Sequence, residues 1–91
     1  MIPDNVSLEL RKGLWNDMAD EVDRAYRKHG SAQWGRHEFY AILLEEVDEV
    51  WDAIKQDLPQ DELIAEIVQV AAMCLRYTET GDRYRQPFQP T

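Results

Sequence analysis

His37-Glu38-Phe39-Tyr40-Ala41-Ile42-Leu43-Leu44-Glu45-Glu46-Val47-Asp48-Glu49-Val50-Trp51-Asp52-Ala53-Ile54-Lys55-Gln56 is the stretch that decides the fold. Its apolar residues recur every three or four positions and never alternate, the spacing of an amphipathic helix and not of a strand. On a helical wheel Phe39, Tyr40, Leu43, Leu44, Val47, Val50, Trp51 and Ile54 fill an arc of about 140°, expected to face the core. Ala41, Asp48, Asp52 and Lys55 fall opposite, towards water. Glu46 and Glu49 do neither: one turn apart, they share a flank with Ile42 and Ala53, so two acids border the apolar face.

The same periodicity continues on either side, and the expected fold class is all-α. Upstream, a first helix is expected from about Ser7, a suitable N-cap, to Lys28, closed by His29 and Gly30. Its stripe is Leu8, Trp15, Met18, Val22 and Ala25 or Tyr26. Gly13 interrupts it at about 1 kcal/mol relative to alanine, which makes Leu14 a competing start. Downstream, Asp57 to Gln60 with Pro59 forms a turn to a third helix from about Asp61 to Tyr77, stopped by Thr80 and Gly81. Residues 1–81 then form one helical domain, and residues 82–91, with two prolines and no periodicity, a C-terminal arm or disordered tail. The third helix is apolar nearly all round, since between Ile64 and Leu75 only Glu66 and Gln69 are not. Two neighbours cannot cover it, so a four-helix bundle completed by a second copy, in a dimer or tetramer, is expected.

Ninety-one residues, 44% hydrophobic and 31% charged, are enough for one domain with a thin core and too apolar for disorder. The net charge of -8 is concentrated. Residues 1–37 are neutral, residues 38–66 carry ten acids against Lys55 alone, and residues 67–91 are slightly basic. Such a segment repels nucleic-acid backbones, so no nucleic-acid partner is expected. No apolar run reaches the ~20 residues of a membrane span and no signal-peptide layout opens the chain, so no membrane partner and a cytoplasmic location are expected. Cys74 between apolar neighbours reads as a small buried hydrophobe, and one cysteine with two histidines excludes a zinc finger.

Glu62, Glu66, Gln69 and Arg76 gather on one strip of the third helix. Ionised carboxylates facing inward cost several kcal/mol unless something positive meets them. Two answers are open from the residues alone. One is an ion-pair network in which Arg24, Arg27, Lys28 or Arg76 neutralises Glu46, Glu49 and Glu66. The other is Mg²⁺, a hard ion that takes oxygen ligands and keeps waters for use with phosphate substrates.

Leu43-Leu44-Glu45-Glu46-Val47-Asp48-Glu49-Val50, followed on the next helix by Glu66-Ile67-Val68-Gln69-Val70, resembles the EExxE then ExxD signature of the MazG-like all-α nucleoside triphosphate pyrophosphohydrolases. The resemblance covers roughly residues 37–77, and Lys28-His29-Gly30 looks like the end of the helix that precedes the motif. It implies a helical bundle built by oligomers, Mg²⁺ as cofactor, and a nucleoside triphosphate cleaved between its α and β phosphates. By position, Glu46, Glu49, Glu66 and Gln69 match the metal ligands, and Glu45 matches the remaining motif acid. Glu45 or Glu49 would then be the catalytic group that orients or deprotonates the attacking water. Position 69 departs from the pattern, because the signature has aspartate there and a glutamine oxygen brings no charge.

Arg24, Arg27, Lys28 and Arg36 cluster near the end of the first helix, where they could receive a triphosphate's charge or simply be solvated. Trp34 could stack on a nucleobase or cap the open end of the core. Trp15 and Trp51 read as core, and His29 as a loop residue with a minor claim to substrate contact. Two further readings stand beside the enzyme. One is a catalytically silent helical bundle, a nucleotide sensor or protein-interaction module whose metal site Gln69 has weakened. The other is an acidic nucleic-acid mimic.

Overall fold

In a computed structural model of the chain, which describes residues 1–31 and 34–80, three helices are joined by short connections and no strand occurs among the described residues. Helix α1 spans Leu8–His29, α2 Arg36–Lys55 and α3 Gln60–Thr80. The ends follow local chemistry. Ser7 caps α1 by accepting a hydrogen bond at Oγ from the Leu10 amide at 3.0 Å. Gly30 closes it at φ 73°, its N–H donating to the Tyr26 carbonyl at 2.8 Å. The expected alternative start at Leu14 does not occur: the Ser7 cap nucleates the helix, and it runs through Gly13.

Helix α2 closes in a Schellman turn. The Leu58 amide donates to the Ala53 carbonyl and the Asp57 amide to the Ile54 carbonyl, both at 3.1 Å, with Asp57 in the left-handed position at φ 53°. Pro59 then precedes α3, its carbonyl accepting from the amides of Glu62 and Leu63. α3 continues three residues past the expected Tyr77, the hydroxyls of Thr78 and Thr80 donating to the carbonyls one turn back. The expected stop at Gly81 and the arm at residues 82–91 lie outside the described residues.

Helix α3 is the middle element. It packs against α2 on one side and α1 on the other, while α1 and α2 do not pack together. The α2–α3 hairpin is antiparallel, with Phe39 near the start of α2 stacked on Tyr77 near the end of α3 at 4.0 Å and 7° between planes. α1 runs parallel to α3: the Tyr26 hydroxyl donates to Glu79 at 2.7 Å, joining the two C-terminal ends. The core is small, with Val22, Ala53, Ala72 and Met73 its buried apolar members.

The arc of α2 does not face this core as a whole. The residues turned towards α3 are Phe39, Ile42, Leu43, Glu46, Val50 and Ala53, whereas Tyr40, Leu44, Val47, Trp51 and Ile54 are exposed. One neighbouring helix covers only about half of a 140° arc, and α1 lies on the far side of α3. Trp15 and Trp51, expected in the core, are each 54% exposed. Trp51 stands on the uncovered stripe. Trp15 stands on the first turns of α1, which with Leu8, Leu10 and Leu14 extend past the start of α3. The uncovered apolar surface therefore lies chiefly on α2 and early α1, not on α3.

Candidate functional site

Glu46 occupies the middle of the stripe by which α2 meets α3, one turn from Ile42 and two from Ala53, and is half-buried there. Glu66 is half-buried on α3, and Glu49 is exposed at the edge of the contact. Antiparallel packing brings the three together. The Glu49 carboxyl is within hydrogen-bonding reach of both Glu46 and Glu66. Burial pushes the Glu46 carboxyl above the ordinary glutamate range, and the charges of Glu49, Glu66 and Glu45 push it further. Burial first, then Glu49, raises Glu66 in the same way. Two carboxyl groups in contact need a proton or a cation between them.

The expected ion-pair network does not supply that cation. Among the described residues Arg24 pairs with Glu21 at 2.6 Å and Lys55 with Asp52 at 3.3 Å, each within one helical turn. Arg24 is thus held on its own helix, and Arg76 is turned onto an aromatic ring. The donors present, three carboxylates and the Gln69 amide oxygen, fit a hard divalent cation in type. Among the described residues, however, no group of three or more Asp, Glu, His or Cys side chains is assembled as a metal cage. The cluster is chained through Glu49 and does not converge on one point.

Because α1 and α2 both lean on α3 without meeting, a cavity of about 530 Å³ lies between them, a size that suits a small-molecule ligand. Helix α1 lines it with Arg24, Lys28 and His29, and α2 with Ile42 and Glu46. Gln69, Met73 and Arg76 form its floor on α3, and Trp34 reaches it from the α1–α2 connection. The expected substrate residues thus divide: Arg24, Lys28 and Trp34 line the cavity, while Arg27 and Arg36 are exposed and outside its lining. Of the expected metal residues, Glu46 and Gln69 line it, with Glu49 and Glu66 beside Glu46. Glu45 is exposed and reaches the cluster through its charge.

Arg76, expected from the sequence only as a candidate ion-pair partner of the carboxylates, lines the cavity instead. It is only 6% exposed, and its Nε and Nη1 are buried without a hydrogen-bond partner among the described residues. Its guanidinium carbon stands 5.1 Å from the centroid of the half-buried Trp34 ring, a cation–π contact. The signal available in the sequence was a lone cation on the strip that also carries Glu66 and Gln69.

A second groove, about 470 Å³, runs between the start of α3 and the middle of α1, lined by Asp17, Asp20, Glu21 and Asp61. Its charge disfavours phosphate. Gln69 borders both spaces. Cys74 is half-buried, and burial raises its thiol pKa, which matches a packing role and not a nucleophile. No helix among the described residues is long and apolar enough to cross a membrane. Comparison with family models, curated proteins and solved structures finds no match.

Proposed function

We propose that the chain is a Mg²⁺-dependent nucleoside triphosphate pyrophosphohydrolase of the MazG-like kind, working as a homo-oligomer and releasing a nucleoside monophosphate and pyrophosphate. One observation carries the reading: a three-carboxylate cluster with no cation paired to it among the described residues adjoins a cavity whose opposite wall bears Arg24, Lys28 and an aromatic ring. Acids, bases and a flat apolar surface are what a metal-bound triphosphate with a base would require of one cavity.

Glu46, Glu49 and Glu66, with the Gln69 amide oxygen as a neutral fourth donor, would hold Mg²⁺. When bound, Mg²⁺ supplies charge neutralisation at phosphate oxygens and makes a nearby water more acidic. Lys28 and Arg24 on the facing wall offset the remaining phosphate charge. Water attacks the α-phosphorus, its proton passes to Glu49 or Glu45, and the bond to the bridging oxygen breaks so that pyrophosphate leaves. Glu49 touches both Glu46 and Glu66, so it stands nearer this chemistry than the exposed Glu45. The test is a panel of canonical and modified nucleoside triphosphates with Mg²⁺, scored for monophosphate and pyrophosphate. No release from any of them would refute the enzyme.

A second reading, a catalytically silent nucleotide sensor or protein-interaction bundle, is favoured by Gln69 and by the absence of an assembled metal cage among the described residues. Magnesium calorimetry separates the two. The enzyme requires binding that vanishes in Glu46→Gln, whereas the silent bundle binds no magnesium at that cluster.

A further inference from the structure

We propose that Arg76 is a positioning residue, which holds the Trp34 ring as a platform that takes a nucleobase by its face and leaves its edge unread. This rests on the nucleotide reading above and adds the ligand class to it. Trp34 lies outside the helices, just before Gly35, the N-cap of α2. Its described partner is Arg76, whose guanidinium carbon is 5.1 Å from the ring centroid. Arg76 is itself fixed, on the middle helix and only 6% exposed.

Burying guanidinium N–H groups without acceptors is costly, and an aromatic face against the cation offsets part of that cost. Nε and Nη1 of Arg76 have no hydrogen-bond partner among the described residues, so the Trp34 face is the stabilising contact described for this charge. Swinging the ring away forfeits it. The ring shields the cation, and the cation keeps the ring in place before a ligand arrives. A platform ordered in advance spares the ligand the entropy of ordering it. The same burial bars Nε and Nη1 from recognition, because buried donors cannot reach a ligand. The influence of Arg76 on a ligand passes through the ring.

What this end of the cavity offers a base is therefore a surface. Trp34 and Arg76 both line the cavity, with Ile42, Ala72 and Met73 as apolar neighbours in its wall. Arg76 is seven residues beyond Gln69 and ten beyond Glu66. At 1.5 Å per residue that is about 10 to 15 Å along α3 from the metal-ligand positions. A nucleotide with its phosphates at the carboxylates therefore turns its base towards Trp34. Every base has a π face, so stacking tolerates changes at the hydrogen-bonding edge, and a two-ring purine covers more of an indole than a pyrimidine does. The ligand class is thus a purine nucleoside triphosphate, canonical or altered at its edge.

Calorimetry on the full chain with Mg²⁺ tests this, using the α,β-methylene analogues of dATP, dGTP, dITP, dCTP and dTTP, with inorganic triphosphate as the base-free control. The three purines should bind within about threefold of one another and roughly 10- to 100-fold more tightly than inorganic triphosphate, with the pyrimidines between. Trp34→Ala should bring all five nucleotides to within about threefold of inorganic triphosphate. Arg76→Met and Arg76→Gln should each remove most of the same advantage and leave inorganic triphosphate unchanged. Arg76→Met should also hold or raise the melting temperature, because it removes an unpaired buried charge. Since Arg76 acts through the ring, Trp34→Ala with Arg76→Met should bind no more weakly than Trp34→Ala alone. Additive losses, or a base advantage that survives both Arg76 variants, would overturn the proposal. So would an equal fall in inorganic triphosphate binding, which assigns Arg76 to phosphate, a preference above about tenfold among the purines, or the absence of nucleotide binding. Fluorescence gives a second measurement that needs no Arg76 variant. Trp15→Phe with Trp51→Phe changes two exposed residues and leaves Trp34 the one tryptophan of the chain. The purine analogues should quench it and inorganic triphosphate should not; equal responses would overturn the platform. Hydrolysis separates the two readings. Triphosphate cleavage that is indifferent to Trp34→Ala overturns the platform and leaves the enzyme, whereas base-dependent binding without cleavage keeps the platform and refutes the enzyme.

Discussion

Gln69, one turn from Glu66 and bordering the cavity, is where one side chain tests the metal reading. Replacing it by aspartate adds a charged oxygen to an acidic strip, which without metal should lower stability by about 1 kcal/mol. If Glu46, Glu49 and Glu66 hold Mg²⁺, the ion should reverse that loss and bind more tightly than to the parent. Equal loss in melting temperature with and without Mg²⁺, at unchanged affinity, would count against the site. The carboxylates carry a second test through pH. Glu46 and Glu66 have pKa values raised in the folded state, so the fold binds more protons than the unfolded chain between the ordinary glutamate range and the raised values. Their contribution is unfavourable above the raised values and is relieved as pH falls through them towards the ordinary glutamate range. Melting of the magnesium-free protein should rise over that interval, and Glu46→Gln should flatten the rise. A melting temperature that falls steadily over the same interval would show the cluster to be uncoupled from folding. These acids were legible as a cluster because each stands at a fixed angle on its helix. Arg76 was legible as a cation on the same strip, but not its partner, since position on a helix gives a direction and not that an aromatic ring would meet it there.

The helices themselves were legible to within a few residues, because Ser7, Gly30 and Pro59 act locally and need no partner to do so. The left-handed turn after α2 was not, since aspartate in place of glycine gives little warning of it. Two substitutions use these ends and interruptions. A Cβ added at Gly13 meets nothing within 4 Å and the residue is inside α1, so Gly13→Ala should stabilise by about 0.5 to 1 kcal/mol, a rise of several degrees in melting temperature. Gly30→Ala should destabilise even though its Cβ is also unobstructed, because the φ of 73° there suits only glycine without strain. If the two alanines shift melting in the same direction, the backbone argument fails. What could not be read from periodicity is which half of a wide apolar arc turns inward. On α2 the choice fell to the flank bearing Glu46 and Ala53 because one neighbour, α3, is all that the described residues supply there.

For the molecule as a whole, that choice leaves Tyr40, Leu44, Val47, Trp51 and Ile54 as a continuous stripe that no other described helix covers, turned about 110° from the face that meets α3. It lies on the side of α2 away from Ile42 and Glu46, so a second copy seated on it would leave the cavity open. We expect the chain to be oligomeric at micromolar concentration, its melting temperature to rise with protein concentration, and Trp51→Glu to dissociate it. A stable folded monomer in light scattering would refute this. The separation of α1 from α2 has a consequence in time. The α2–α3 hairpin is closed by a four-residue connection and makes its contacts between sequence neighbours, whereas α1 reaches α3 only across the length of α2, as the Tyr26–Glu79 bond does over 53 residues. Short loops close first, so the hairpin should assemble early and α1 should dock last and leave first. The cavity has walls only while α1 is docked. Any molecule that binds there must therefore slow amide hydrogen exchange in α1 more than in the hairpin.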